Sequence, residues 1–333
     1  DTDTVFLGWT GAVENVLSAS TVITMNIHWS VTAHFRRRYK IRTLAELQAM
    51  ATGDLDGHYI LMNDINASDT VNWNDTGTDT NVMEGFRPIG NNLQQPFTGI
   101  FEGSGYMITG LKIHRTSTYD VGLFGYIGSG SEIRNLGIEG VVVIGGSGCV
   151  GGLAGMNFSG LIANCCVTGS VTGNSGYVGG LVGFCDGYTI YSMAEISNCY
   201  ASGVVTGNGD RVGGLVGLTY SMITNSYATC LVTSINSQYG YVGGLVGWGY
   251  GDRIKNSYWD VESSGRSWSG GGIGKTTSEM KQQATFQPGG GNGPNDWDFT
   301  NIWGMEPGVN AGFPYLLPYR TVVYHYTLNY VAG

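Results

Sequence analysis

A short phrase recurs along the middle of this chain and narrows its fold more than any other feature. Gly151-Gly152-Leu153-Ala154-Gly155, Gly179-Gly180-Leu181-Val182-Gly183, Gly213-Gly214-Leu215-Val216-Gly217 and Gly243-Gly244-Leu245-Val246-Gly247 are near copies, preceded by a looser Val121-Gly122-Leu123-Phe124-Gly125. A second phrase alternates with it: Ile133-Arg134-Asn135-Leu136, Ile162-Ala163-Asn164-Cys165, Ile196-Ser197-Asn198-Cys199, Ile223-Thr224-Asn225-Ser226 and Ile254-Lys255-Asn256-Ser257. The period is 28 to 34 residues, and the longest repeat carries an insertion around 188–193. A unit this short cannot bury an apolar face by itself, so copies must stack. Glycine every few residues argues against long helices, at a cost of about 1 kcal/mol each. Bursts of Val, Ile, Tyr and Thr between Gly, Asn and Ser read instead as short strands with tight corners.

Stacking such strands about 4.8 Å apart generates parallel sheets and a solenoid. A propeller would need about 40–45 residues per blade. The expected fold is therefore all-β, a right-handed parallel β-helix. In it the Leu and Val of each glycine phrase point inward, and glycines serve positive φ at corners and close backbone approach. The recurring Asn takes an inward corner, its amide bonding turn backbone and the next Asn. Thr43-Leu44-Ala45-Glu46 is a capping box that opens a helix over residues 44–51, a cover for the first coil. A second short helix is expected over 277–284, with Trp297, Trp303, Phe313 and Tyr315 plugging the last coil.

Composition closes off several classes. Gly accounts for 56 of 333 residues, yet without the every-third-residue period of collagen. Hydrophobic residues at 42% and charged residues at 12% exclude a disordered acidic chain. A net charge of −9 argues against a nucleic-acid partner, which needs clustered Lys and Arg. No apolar run approaches the roughly 18 residues of a membrane-spanning helix.

The Val-Gly-Gly-Leu-Val-Gly…Ile-x-Asn-Ser/Cys-Tyr pattern over residues 121–260 resembles the GLUG-motif repeats of bacterial and archaeal surface proteins. Flanking phrases, including Gly57-His58-Tyr59-Ile60-Leu61 and Phe97-Thr98-Gly99-Ile100-Phe101, are similar to the same kind of protein. The resemblance implies a scaffold at the cell surface or outside the cell. Some GLUG-containing proteins are IgA-cleaving metallopeptidases, which need a His-Glu-x-x-His helix; the five histidines (28, 34, 58, 114, 325) include no such pair. Both termini alternate with a period of two instead. The N-terminal segment resembles the back half of an internalin-type B-repeat, and Tyr326-Thr327-Leu328-Asn329-Tyr330 its opening strand. The expected organisation is a partial β-domain at 1–40 and a β-helix at 41–318, followed by a terminal strand at 319–333. The β-helix divides into an N-terminal cap (41–120), GLUG-like repeats (121–260) and a C-terminal cap (261–318).

Val322, Tyr324, Tyr326, Leu328 and Tyr330 form a candidate donor strand, and Ile23, Met25, Ile27, Trp29, Val31 and Phe35 the candidate acceptor face. Strand addition between copies that does not close into a ring makes a filament. The expected function is thus structural and non-enzymatic, a rod joined head to tail. The alternative is an adhesin that binds surface glycans through an aromatic ladder of Tyr200, Tyr227 and Tyr258, extended by Trp248, Tyr250 and Trp259. A polysaccharide-active enzyme ranks third, because Glu132, Glu139, Asp186, Glu195, Asp210, Asp252 and Asp260 hold no repeated place and read as solvated turn residues. No cofactor is expected. Asp64, Asn66 and Asp69, or Asp75, Gly77 and Asp79, offer hard oxygen ligands for calcium, but a polar Asx-rich loop explains them better. Asn66, Asn74 and Asn157 head N-x-S/T sequons, candidate glycosylation sites.

Overall fold

The computed structural model describes residues 4–11, 13, 15–18, 20, 30–73, 83–146, 148–174, 176–187, 194–235, 240–290, 293 and 295–317. The chain forms a β-solenoid whose equivalent strands stack coil upon coil in parallel register. One face is a nine-stranded sheet. It begins with β1 (Thr4–Thr10) antiparallel to β2 (Thr32–Ile41), continues through β3 (His58–Leu61), and then takes one short strand from each later coil as far as Ile254–Lys255. The second face stacks the longer strands Gly137–Gly145, Cys166–Gly173, Tyr200–Gly207 and Tyr227–Ser234. The third is bent at the Gly-Leu step into a four-stranded and a five-stranded sheet.

Each glycine phrase builds that bend. Leu153, Leu181, Leu215 and Leu245, with Ala154, Val182, Val216 and Val246, are fully buried in aliphatic stacks. The second glycine of each pair serves the close backbone approach expected of it, without a left-handed backbone. A Cβ on Gly152 would lie 2.7 Å from the Gly180 carbonyl oxygen, and Cβ atoms on Gly180 and Gly214 would collide with the Gly214 and Gly244 carbonyls. Glycine is kept there because the next coil's backbone occupies the space of a side chain.

Within the two phrases, positive φ recurs at the asparagines. Asn135, Asn164, Asn198, Asn225 and Asn256 lie at φ 56°, 53°, 51°, 48° and 48°, in the left-handed region that Asn tolerates better than most residues. Asn135 and Asn164 are half-buried rather than inward. The Asn164 Nδ2 donates to Asn135 Oδ1 at 2.9 Å, and the Asn135 amide donates to Glu102. The inward corner belongs to the next residue, Cys165, Cys199, Ser226 or Ser257. The Sγ or Oγ of each donates to the carbonyl two residues back, at 3.2, 3.1, 2.8 and 2.8 Å. Each of the last three accepts the backbone N–H of its equivalent one coil earlier: Cys165 to Cys199, Cys199 to Ser226, Ser226 to Ser257. Thiol and hydroxyl are interchangeable here because both donate downward and accept from the side. All six cysteines are buried and free of disulfides.

At the N-terminal end, α1 (Leu44–Ala49) has the expected capping box between Thr43 and Glu46 and buries Leu47, and a 3-10 turn follows. The C-terminal cover departs from expectation. The short helix spans only Thr277–Met280, with its own capping box at Thr276 and Glu279. Trp297 and Trp303 do not plug the last coil; they lie along the outside of the second face, against the Tyr200, Tyr227 and Tyr258 rings. The end of that face is capped by pairing, Ile273–Lys275 on Tyr258–Asp260. A tyrosine file left in water would expose a broad apolar patch, so the tail is better spent on its flank.

Two buried groups titrate in opposite senses. His58 faces away from the main core, directly across from Arg38, and neither ring nitrogen has a hydrogen-bond partner. Burial, reinforced by Arg38, Arg134 and Arg36, lowers its pKa to about 4. Asp120 is pushed up to about 6 by burial, which hydrogen bonds from Cys149 only partly oppose.

Cys199→Ser should leave the urea unfolding midpoint close to that of the parent, whereas Cys199→Ala, which strands the Cys165 N–H, should cost about 1–3 kcal/mol. Equal losses in both variants would contradict the ladder. For pH, the unfolded chain protonates His58 near 6.5 and the folded chain only near 4, so this group erodes stability as pH falls through that interval. Asp120 does the reverse: its ionisation penalty, complete above about 6, disappears as pH falls toward 3.8. Melting curves between pH 6.5 and 4 should therefore show His58→Gln gaining on the parent toward acid and Asp120→Asn losing on it.

Candidate functional site

Among the sequence candidates, Tyr200, Tyr227 and Tyr258 do stand in register on successive coils. Tyr200 and Tyr227 stack at 5.0 Å with 10° between ring planes. The rings are buried, however, beneath the C-terminal cover: Tyr227 donates its hydroxyl to the Pro314 carbonyl at 2.5 Å and accepts from Asn310 Nδ2 at 2.8 Å. Burial pushes the Tyr227 phenol well up. Trp259 is also buried, in the main core, where its ring fills the space beside Gly244. These four rings have no open face for a sugar. The sequence pattern shows that they recur but not which side of the strand they occupy.

Trp248 and Tyr250 belong to a different file, on the outer side of the third face. The register aligns Tyr126, Met156, Phe184, Leu218 and Trp248 in one column and Cys149, Tyr177, Arg211 and Tyr241 in the next. Ring centroids are 5.3 Å apart for Tyr177 and Phe184, 5.7 Å for Phe184 and Tyr220, and 5.6 Å for Tyr220 and Trp248, all near edge-to-face. Tyr250 closes the file, 5.7 Å from Tyr220 and 5.6 Å from Trp248. The Arg211 guanidinium lies between two rings, 5.4 Å from Tyr177 and 5.8 Å from Tyr241, and Arg253 lies 5.1 Å from Tyr250. Phe184, Tyr220 and Trp248 are half-buried, and Tyr250 is 47% exposed. Sequence reading passed over Tyr177, Phe184, Arg211, Tyr220 and Tyr241. The signal was present in the residue before each Val-Gly-Gly: Cys149, Tyr177, Arg211 and Tyr241.

The carboxylates are dispersed. Glu132 is engaged by Arg134, with which it lines up beside Glu102, and shares a shallow depression of about 260 Å³ with Glu195. Asp260 is buried as the N-cap of a short helix, accepting from the Glu262 and Ser263 N–H groups and from the Thr277 hydroxyl. Asp64 accepts from the Met107 N–H and Asn66 from the Ser68 N–H, so these oxygens serve loop backbone. Among the described residues no three His, Cys, Asp or Glu side chains converge to hold a metal.

Asn66 is exposed, but Asn157 is fully buried and bonds both the Gly160 N–H and carbonyl. Glycosylation at Asn157 is therefore corrected: the amide is inside the fold, where no glycan could be accommodated. Asn74 lies outside the described residues, as do the donor strand residues Val322, Tyr324, Tyr326, Leu328 and Tyr330, and Ile23, Met25, Ile27 and Trp29 of the acceptor face. Of that face, Val31 is half-buried and Phe35 is 59% exposed, its ring 5.7 Å from Phe6 of β1.

Comparison with known proteins agrees with this architecture. The GLUG motif matches residues 174–206, one complete coil. Halomucin of Haloquadratum walsbyi is 38% identical over 148 residues, 44% of this chain and 2% of that protein. A protein described as a candidate Gly-rich membrane protein of Evansella cellulosilytica is 38% identical over 129 residues, 38% of this chain and 14% of its own length. The chain thus spans only a small part of these relatives. A solved structure described as a candidate immunoglobulin A1 protease of Bacteroides ovatus superposes with a TM-score of 0.52 at 18% identity, over 84% of this chain and 92% of that one, a likeness of fold. The recurrent phrase, the stacked coils and the motif match together show a β-helix that carries a GLUG motif at residues 174–206.

Proposed function

We propose that this chain is a non-catalytic structural module of the cell surface, a rigid rod whose copies join end to end by strand addition. The observation that carries this reading is the place of β1 as the last strand of the nine-stranded face among the described residues, where the Trp9 N–H is taken by the Val16 carbonyl. β1 terminates the nine-stranded face, and the β1–β2 hairpin runs without interruption into the solenoid through Arg38–Ile41 and β3. A strand added to β1 would extend the rod's own sheet, and main-chain hydrogen bonds would supply the affinity. The alternation of Val322, Tyr324, Tyr326, Leu328 and Tyr330 suits such a donor. A surface setting is supported by the likeness to halomucin and to a Gly-rich membrane protein. Their far greater length also suits tandem copies within one longer chain. A non-catalytic role is supported by carboxylates already committed to Arg134, to a helix cap or to loop backbone.

Negative-stain electron microscopy of the intact chain, beside a version lacking residues 319–333, tests the assembly. Filaments from the first and single rods from the second are expected. Single rods from both would overturn strand addition.

A further inference from the structure

We propose that the outer aromatic strip of the third face binds a neutral polysaccharide strand lying along the rod. This is independent of how the ends join. Four observations converge on that ligand chemistry. The rings recur coil by coil along one face, so the strip is linear and shallow, shaped for a chain rather than for a compact molecule. Tyr177, Tyr220 and Tyr241 are half-buried and Tyr250 is exposed, so apolar ring faces and phenol groups alternate along the strip. Sugar rings present the same alternation of C–H faces and hydroxyls, and amphipathic aromatic side chains suit such a surface.

The third observation concerns Arg211. Its Nε is buried without a hydrogen-bond partner while the guanidinium is held between the Tyr177 and Tyr241 rings. The side chain as a whole is half-buried, so guanidinium N–H groups beyond the buried Nε can donate to a sugar hydroxyl oxygen. The fourth is charge. The Arg211 and Arg253 cations already lie against Tyr faces of this strip, leaving those faces no role in binding a cationic ligand. The two cations stand apart, Arg211 over Tyr177 and Tyr241 and Arg253 over Tyr250, rather than as the cluster a polyanion would need.

The test titrates the intact chain with cellohexaose, chitohexaose, maltohexaose and hexagalacturonate, followed by tryptophan fluorescence and calorimetry. At least one neutral hexasaccharide should bind, with quenching or enhancement that Trp248→Phe alters. Trp248→Ala and Tyr220→Ala should each weaken binding about tenfold, the scale of one aromatic contact. Tyr250→Ala, at the most exposed ring of the strip, should do likewise with the melting temperature unchanged, which guards against loss by misfolding. Leu231→Ala, exposed on the second face, is the control and should bind as the parent does. No binding of any neutral hexasaccharide, binding of hexagalacturonate alone, or affinity indifferent to Trp248, Tyr220 and Tyr250 would each overturn the assignment. So would self-association that these variants abolish in a chain that binds no sugar.

Discussion

Vertical repetition at one-coil spacing is the constraint on which everything else in this molecule rests. In a stacked parallel sheet a side chain's nearest neighbours are its own equivalents above and below. Whatever a position carries, it carries against itself. Aliphatic side chains satisfy that rule at once, which is why Leu153, Leu181, Leu215 and Leu245 form a dry column. Charge cannot, since like charges stacked directly opposite repel. Glu102 and Arg134, register partners on adjacent coils, show one solution, opposite signs. The corner residues show another: a small group that both donates and accepts can repeat without limit, as Cys165, Cys199, Ser226 and Ser257 do.

The same rule explains how far the sequence can be read. The phrase spacing, the inward Leu and Val, the Thr43 capping box and the identity of the corner Asn were all visible as pattern. Two roles were exchanged. Left-handed backbone belongs to Asn rather than to the paired glycines, and the inward polar column belongs to the Cys or Ser that follows it. The first has a plain cause: a glycine is compatible with positive φ and with crowding, and composition does not say which applies. Gly180 and Gly214 are pressed by carbonyls of the next coil, a contact some thirty residues away in sequence.

Outward positions were harder to read for a related reason. A period-two alternation tells which residues share a face, but not whether a later segment returns to cover it. Tyr200, Tyr227 and Tyr258 look like an exposed ladder until residues beyond 280 fold back over them. The strip from Tyr177 to Tyr250 has no such cover among the described residues, although its rings are no more conspicuous in the sequence. Cover and exposure are decided by long-range packing, and the order of phrases is silent about it.

That returning segment has a mechanical consequence. In a solenoid each coil touches only its neighbours, so a pull on one end can unzip the coils in turn. Trp303 packs against both Tyr200 and Tyr227, Trp297 against Tyr227 and Tyr258, and Pro314 and Asn310 hold the Tyr227 hydroxyl. Three coils are thereby strapped by one crossing tether. Tension applied through the last coils would have to shear this strap as a unit before any single coil could peel, which makes the C-terminal third of the rod the part best built to bear a load.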